Sequence, residues 1–393
     1  MLGGGEVTDL APMLGGASRE TWSFSYDGRP LVLRRDPPGS PRAGGLVREA
    51  ELMTAARAAG VPVPEIVTAA PGHLVMTRLY GETLARRILR DDIYAGARAV
   101  VVSQCADALA RLHRDVDVAG LPEQSDPVAA LRESLDQVGD PYPVFELALA
   151  RLDRSRPRSH RPCVVHGDFR LGNLMVDVSG LVAVLDWELA HRGDPAEDLG
   201  WLCVRSWRFG GPLPVAGVGT REQLLAAYGD AGGVAVTAEE LAWWELYGTV
   251  RWGVICVQQA ALHRSGAVRS VELAAIGRRV CEQEWDLLLL LDPDAAAAAA
   301  ARRPRPSGQP QPSPAPHGRP TASELLDAVR GYLTDHVMPG TSGQLSFHAR
   351  VAANVLAIVA RELELGELPR DATLADQVAA RLAVSNPRYF GEG

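Results

Sequence analysis

Residues 21–36, TWSFSYDGRPLVLRRD, alternate apolar and polar side chains around an Asp27-Gly28 pair, the pattern of a β-hairpin closed by a tight turn. The period then changes. In GGLVREAELMTAARAAG, residues Leu46, Leu52, Ala56 and Ala59 recur at helical spacing and the run stops at Gly60. VPVPEIVTA and HLVMTRL follow as two short strands, so the first part of the chain reads hairpin, helix, strands. From residue 94 the pattern is helical, clearest in AVVVSQCADALARLHRD, with the short strands CVVHGD, NLMVD and LVAVLDW set into it and long helical runs at 238–264 and 271–290. A small mixed lobe, residues 1–79, precedes a larger helical lobe, residues 80–293.

Beyond them the pattern lapses. Residues 292–320 are Ala-rich, then Pro-rich, without apolar periodicity, which predicts an extended linker of polyproline character, placed at 294–320. Periodicity resumes near Thr321, a predicted N-cap with Glu324 in the first turn. Leu325, Leu326, Val329, Leu333 and Val337 mark one helix, and Leu345, Ala352, Leu356, Val359 and Leu363 a second, so residues 321–393 are expected to form a small all-α domain.

Composition narrows the function classes. The 393 residues are 47% hydrophobic and 22% charged, the balance of an ordinary folded protein, and the net charge of −8 excludes a nucleic-acid binder that works through a broad basic surface. No apolar stretch reaches the length of a membrane span, and MLGGGEVTDLAPMLGG lacks the n- and h-regions of a signal peptide, so no membrane partner and a cytoplasmic location are expected. Five widely spaced cysteines with no CxxC pair read as buried thiols. All 40 basic residues are arginine, so any phosphate-binding lysine has been replaced. Asparagine occurs only at positions 173, 354 and 386, which lends weight to the one inside VVHGDFRLGNLMVD, residues 164–177.

That segment places His166, Asp168 and Asn173 at fixed offsets in an apolar run. Phosphoryl transfer needs a group to orient the attacking hydroxyl and a divalent cation on the phosphates, and Mg²⁺ takes one or two hard oxygen ligands from protein. Asp168 suits the first task. Asn173 and a second carboxylate suit the other, and LVAVLDWE supplies Asp186 at the end of an apolar strand; a hairpin through DVSG would bring Asn173 and Asp186 to one mouth. His166 reads as a brace for the loop, Asp198 as a capping residue beside Asp194, and Trp243, Trp244 and Trp252 as core, while Arg251, His263 and Arg264 are candidates to attract an anionic acceptor.

HGDFRLGN, LDWE and GDPAEDLGWL resemble the catalytic loop, metal-binding segment and following loop of the aminoglycoside phosphotransferase family of small-molecule kinases, and the likeness extends over most of residues 10–290. It implies an α+β, bilobal protein-kinase-like fold with a small β-rich N-lobe and a large helical C-lobe, to which the all-α tail is appended. It further implies Asp168 as catalytic base and Asn173 and Asp186 as magnesium ligands. LGGASRETWSF sits at the family's nucleotide loop, with Gly15, Gly16 and Ser18 offering phosphate contacts. Arg34 stands where the phosphate-binding lysine would, with Arg35 as the other register, and Glu49 is its expected ion-pair partner, with Glu51 as fallback. Thr77 and Leu79 would offer hinge backbone groups to the base.

The reaction implied is Mg²⁺-dependent transfer from ATP or GTP to the hydroxyl of a small-molecule acceptor. An aminoglycoside, a hydroxyacyl thioester, a sugar and other alcohols all remain admissible acceptors, the thioester because related domains occur fused to acyl-CoA dehydrogenases. The alternative is a pseudokinase-type nucleotide-binding or scaffold protein whose tail recruits a protein partner or a second copy as a homodimer.

Overall fold

The computed structural model describes residues 3–13, 19–37, 45–304, 320–367 and 371–390. They form two compact units, Met1–Asp126 with Arg156–Gly248, and Pro127–Ser155 with Thr249–Gly393.

The first unit begins with strands β1 (Val7–Pro12), β2 (Glu20–Tyr26) and β3 (Arg29–Arg35), helix α1 (Gly45–Ala58), and strands β4 (Ile66–Ala70) and β5 (His73–Thr77). The strands make one antiparallel sheet of order β1-β2-β3-β5-β4. The β2–β3 turn needs left-handed backbone at both central positions, and Asp27 and Gly28 have φ of 48° and 78°, the mirror-image turn that matches strand twist. Strand β1 was not anticipated: it is an edge strand exposed along its whole length, so no buried face imposes alternation on its sequence. Helix α1 buries Leu46, Leu52, Met53 and Ala56, which share a core with Val32, Leu74 and Met76 of the sheet.

Helices α2 (Ala85–Arg90) and α3 (Ala95–Asp115) follow; α4 (Pro127–Val138) and α5 (Pro143–Arg154) belong to the second unit. The chain returns to the first unit with β6 (Cys163–Val165), β7 (Leu174–Asp177), β8 (Gly180–Val184) and β9 (His191–Gly193), then α6 (Ala196–Cys203) and α7 (Arg221–Asp230). Strand β6 pairs with β9, and β7 with β8. Helix α8 (Ala238–Arg264) has the bounds that its periodicity predicts.

In the second unit the run expected at 271–290 is two helices, α9 (Val271–Gly277) and α10 (Val280–Leu291), broken after Gly277, a residue that weakens helices through its backbone freedom. The Ala-rich start of the expected linker is helical as well. Helix α11 (Pro293–Arg302) starts with proline, Asp292 accepts the Ala295 N–H at 3.0 Å, and alanine is the best helix former, which outweighs the missing amphipathic pattern.

The tail opens with α12 (Ala322–Tyr332), where Thr321 and Glu324 make the reciprocal capping box. A π-helical turn (Leu333–Val337), α13 (Met338–Gly340), α14 (Gly343–Leu365) and α15 (Leu374–Ser385) complete it. Helix α15 packs on α10 and α11, fastened by Arg381 to Glu284 at 2.8 Å and Asn386 to Glu282 at 3.0 Å. All five cysteines are free thiols. Among the described residues no helix is long and apolar enough to cross a membrane.

Candidate active site

Strand β6 delivers His166, Gly167 and Asp168 to the start of a loop whose backbone is held from beneath. Asp198, fully buried on α6, accepts the N–H groups of His166 at 2.7 Å and Gly167 at 2.9 Å and lies 3.2 Å from Nε2 of His113, whose Nδ1 is 2.9 Å from the Tyr228 hydroxyl. Burial alone would raise the Asp198 carboxyl; the hydrogen bond from His113 and those from the loop outweigh it and hold the group below the usual carboxylate range.

His166 is also fully buried, its ring against Phe169 and Trp187. Its Nδ1 accepts the Asp168 N–H at 3.2 Å, which leaves the proton on Nε2 to donate to the Leu185 carbonyl at 3.0 Å, and burial pushes its pKa down. A neutral imidazole is therefore the brace of the loop. Gly167 has φ 76°, and a Cβ there would come within 2.5 Å of the Leu189 carbonyl oxygen, so only glycine fits.

The Asp168 carboxylate is oriented on both oxygens. Oδ1 accepts from Arg170 Nε and Trp201 Nε1, each at 2.9 Å, and Oδ2 accepts from Asn173 Nδ2 at 2.6 Å. The same Asn173 nitrogen donates to the Asp168 carbonyl at 3.0 Å, so the amide nitrogen is spent on the loop and its oxygen is the end turned to other uses. Arg170 in turn lies over the Trp207 ring, 4.5 Å from its centroid.

The β7–β8 hairpin pairs Leu174 with Val184, and the Leu185 N–H donates to the Asn173 carbonyl at 2.8 Å. Asp186 is thus the first residue past the hairpin end that carries Asn173. Its backbone is left-handed, φ 65° and ψ 69°, an uncommon state for a residue with a Cβ, and its side chain is 39% exposed. An amide oxygen and a carboxylate are hard donors that fit Mg²⁺ completed by water and phosphate, and among the described residues no cluster of three or more His, Cys, Asp or Glu competes as a metal centre.

From the sheet, Arg34 reaches down with Nη1 2.9 Å from Glu49 Oε2 and Nη2 3.3 Å from Asp186 Oδ1. The pleat decides the register: Arg35 points the other way and pairs with exposed Glu20, while Glu51 lies on the exposed face of α1. Burial pushes the Glu49 carboxyl up against the pull of Arg34 and Arg19. Arg19 is a partner that the sequence reading missed.

Gly15, Gly16 and Ser18 lie outside the described residues. At the expected hinge, the Thr77 N–H donates to the Glu65 carbonyl at 2.9 Å, because the chain still pairs there with the segment before β4, so this donor is taken. Asp198 is not the expected cap. That task falls to Asp194, which accepts the Ala196 N–H at 2.9 Å. Trp243 and Trp244 are buried and packed on each other and on Tyr247. Arg264 pairs with Asp140, and His263 accepts the Ser270 N–H at 3.1 Å.

A carboxylate locked by an asparagine five residues on, a second carboxylate at a hairpin end, and an arginine–glutamate pair above it under an antiparallel sheet are the arrangement expected of a protein-kinase-like fold. Residues 9–244 match the phosphotransferase enzyme family, and the chain belongs to it. Residues 339–375 match a domain of unknown function, DUF6285.

The chain is 30% identical over 209 residues to acyl-CoA dehydrogenase family member 11 of Rattus norvegicus, an alignment covering 48% of this chain and 27% of that protein. It is 29% identical over 189 residues to an aminoglycoside 3'-phosphotransferase of Escherichia coli, covering 44% of this chain and 65% of that one. The crystal structure of a choline/ethanolamine kinase family protein from Mesorhizobium loti superimposes with a TM-score of 0.53 at 20% identity, covering 71% of this chain and 88% of that one, a likeness of fold. The chain spans only about a quarter of the length of the acyl-CoA dehydrogenase family members that it matches.

Proposed function

We propose that the protein transfers the γ-phosphoryl group of ATP or GTP to an alcohol of a small molecule, with Asp168 as base. The observation that carries this reading is the carboxylate of Asp168, held on both oxygens by Asn173, Arg170 and Trp201 on the loop that precedes the Asp186 hairpin. The acceptor oxygen attacks the γ-phosphorus, the bond from phosphorus to the bridging oxygen breaks, and the hydroxyl proton passes to Asp168. Asn173, through its amide oxygen, and Asp186 would hold Mg²⁺, which neutralises charge on the phosphates when bound. Arg34 turns a guanidinium nitrogen to a phosphate while Glu49 restrains it, and the backbone at Thr77 and Leu79 meets the nucleotide base. The Asp168 carboxylate is contacted by the Arg170 guanidinium, the Trp201 indole and the Asn173 amide, and a guanidinium so close to the base suits an uncharged or anionic alcohol better than a polycationic one.

Calorimetric titration of ATP and GTP, with and without Mg²⁺, into the wild type and Asp186→Ala tests the reading. Magnesium-dependent binding that weakens about tenfold or more in Asp186→Ala is expected, since a metal ligand is lost. Absence of nucleotide binding by the folded wild type would overturn it.

A further inference from the structure

Glu49 is 2% exposed and has a guanidinium on each oxygen: Arg19 Nη1 on Oε1 and Arg34 Nη1 on Oε2. The two arginines differ in what else they hold. Arg19 is buried, with Nε donating to Asp36 Oδ1 at 3.0 Å and Nη1 3.7 Å from Glu188 Oε2. Its Nη2 lies against the start of α1, where a Cβ on Gly45 would stand 3.3 Å away. Strand pairing sets this position: Thr21 faces Arg34 and Glu20 faces Arg35, so Arg19 and Asp36 occupy the next rung. Arg34 is less enclosed, its side chain 15% exposed, and its second nitrogen rests on Asp186.

A buried carboxylate is costly unless paired, and it holds any cation within reach. Were Arg34 its sole partner, each phosphate contact made by Arg34 would be opposed by the cost of loosening Glu49. A chain without lysine meets this conflict with a second arginine. We propose that Arg19 is a positioning residue that neutralises Glu49 independently of Arg34 and keeps α1 docked, so that Arg34 is free to turn from Asp186 to a nucleotide phosphate. This rests on the reading of Arg34 as a phosphate ligand and Asp186 as a metal ligand given above.

The test is calorimetric binding of magnesium ATP to the full chain in four forms: wild type, Arg19→Gln, Glu49→Gln and the double variant. Arg19→Gln should weaken binding about tenfold or more, because an unneutralised Glu49 retains Arg34. Adding Glu49→Gln removes the charge that retains Arg34 and should recover part of the loss, with the double variant binding about threefold or more tighter than Arg19→Gln yet weaker than wild type. A residue that only braces the fold predicts the reverse, a double variant at least as weak as the single one. That result, or unchanged affinity in Arg19→Gln, overturns the proposal.

Should Arg19→Gln fail to fold by circular dichroism, Arg19→Lys takes its place. One ammonium cannot serve Asp36 and Glu49 as the fork does, so a loss of about threefold to tenfold is expected, again reversed in part by Glu49→Gln; no reversal overturns the proposal. Wild-type protein that binds no nucleotide defeats the phosphotransferase site itself. Binding that depends on Asp186 yet shows no reversal defeats the role of Arg19 alone.

Discussion

The catalytic loop and the tail helix α12 solve opposite problems. At the loop, polar groups are buried and answered: Asp198 takes two backbone N–H groups and a histidine, His166 uses both ring nitrogens, and Asp168 is held on both oxygens. Helix α12 has an amphipathic sequence but buries no residue, and Leu325, Val329 and Tyr332 are 54%, 51% and 61% exposed. Helix α15, from the same tail, buries Val378, Ala379 and Leu382 against neighbouring helices. Helix α12 does pack on α14, so apolar periodicity and a capping box announce and start a helix, yet neither fixes how deeply its apolar face is buried. The loop owes its shape to an unbroken set of buried hydrogen bonds, a sterner constraint because each missing partner leaves a desolvated polar group.

The largest expected effect is at the reacting end of the loop. Asp168→Asn keeps the shape and removes the base, and kcat, followed as ADP release with an accepted alcohol, should fall about 10²- to 10⁴-fold with nucleotide affinity little changed. A fall of less than tenfold would mean that the loop only positions the acceptor.

Beneath it, Asp198→Ala strands the N–H groups of His166 and Gly167 and should cost about 2–6 kcal/mol, read from the denaturant midpoint. A loss under about 1 kcal/mol would show that the loop holds its shape without this acceptor.

The tail sharpens the contrast. Leu382→Ala, at a fully buried position of α15, should cost about 2–5 kcal/mol, whereas Leu325→Ser on α12 should stay within about 0.5 kcal/mol. A larger loss for Leu325→Ser, with a mass by light scattering that falls in the variant, would reveal that a second copy covers that face.

Much of the site was legible because its parts are close in sequence. Asp168 and Asn173 lie in one loop, and the short DVSG turn pairs the strands that carry Asn173 and Asp186. Arg34 against Arg35 was readable as a pleat but not decided, since an alternating strand says which residues share a face and not which face meets α1. Asp198 was misread as a cap because a carboxylate in the first turn of a helix looks the same in sequence whether it closes the helix or reaches a loop 32 residues away. Arg19 carried no signal among 40 basic residues that are all arginine. Strand β1 and helix α11 went unread for the want of a buried face in one and of an amphipathic pattern in the other.

By itself, then, the sequence determined most of the order of elements, the β2–β3 turn, the cap of α12 and the spacing that sets Asp168, Asn173 and Asp186 in one loop and hairpin, all of which depend on φ, ψ and hydrogen bonds over a few residues. Only the tertiary structure decided that Glu49 is shared by two arginines, that Asp198 supports the loop, and how deeply each tail helix is buried. Those outcomes depend on desolvation and on distances between segments far apart in the chain, and a charge has no partner until folding brings one within reach.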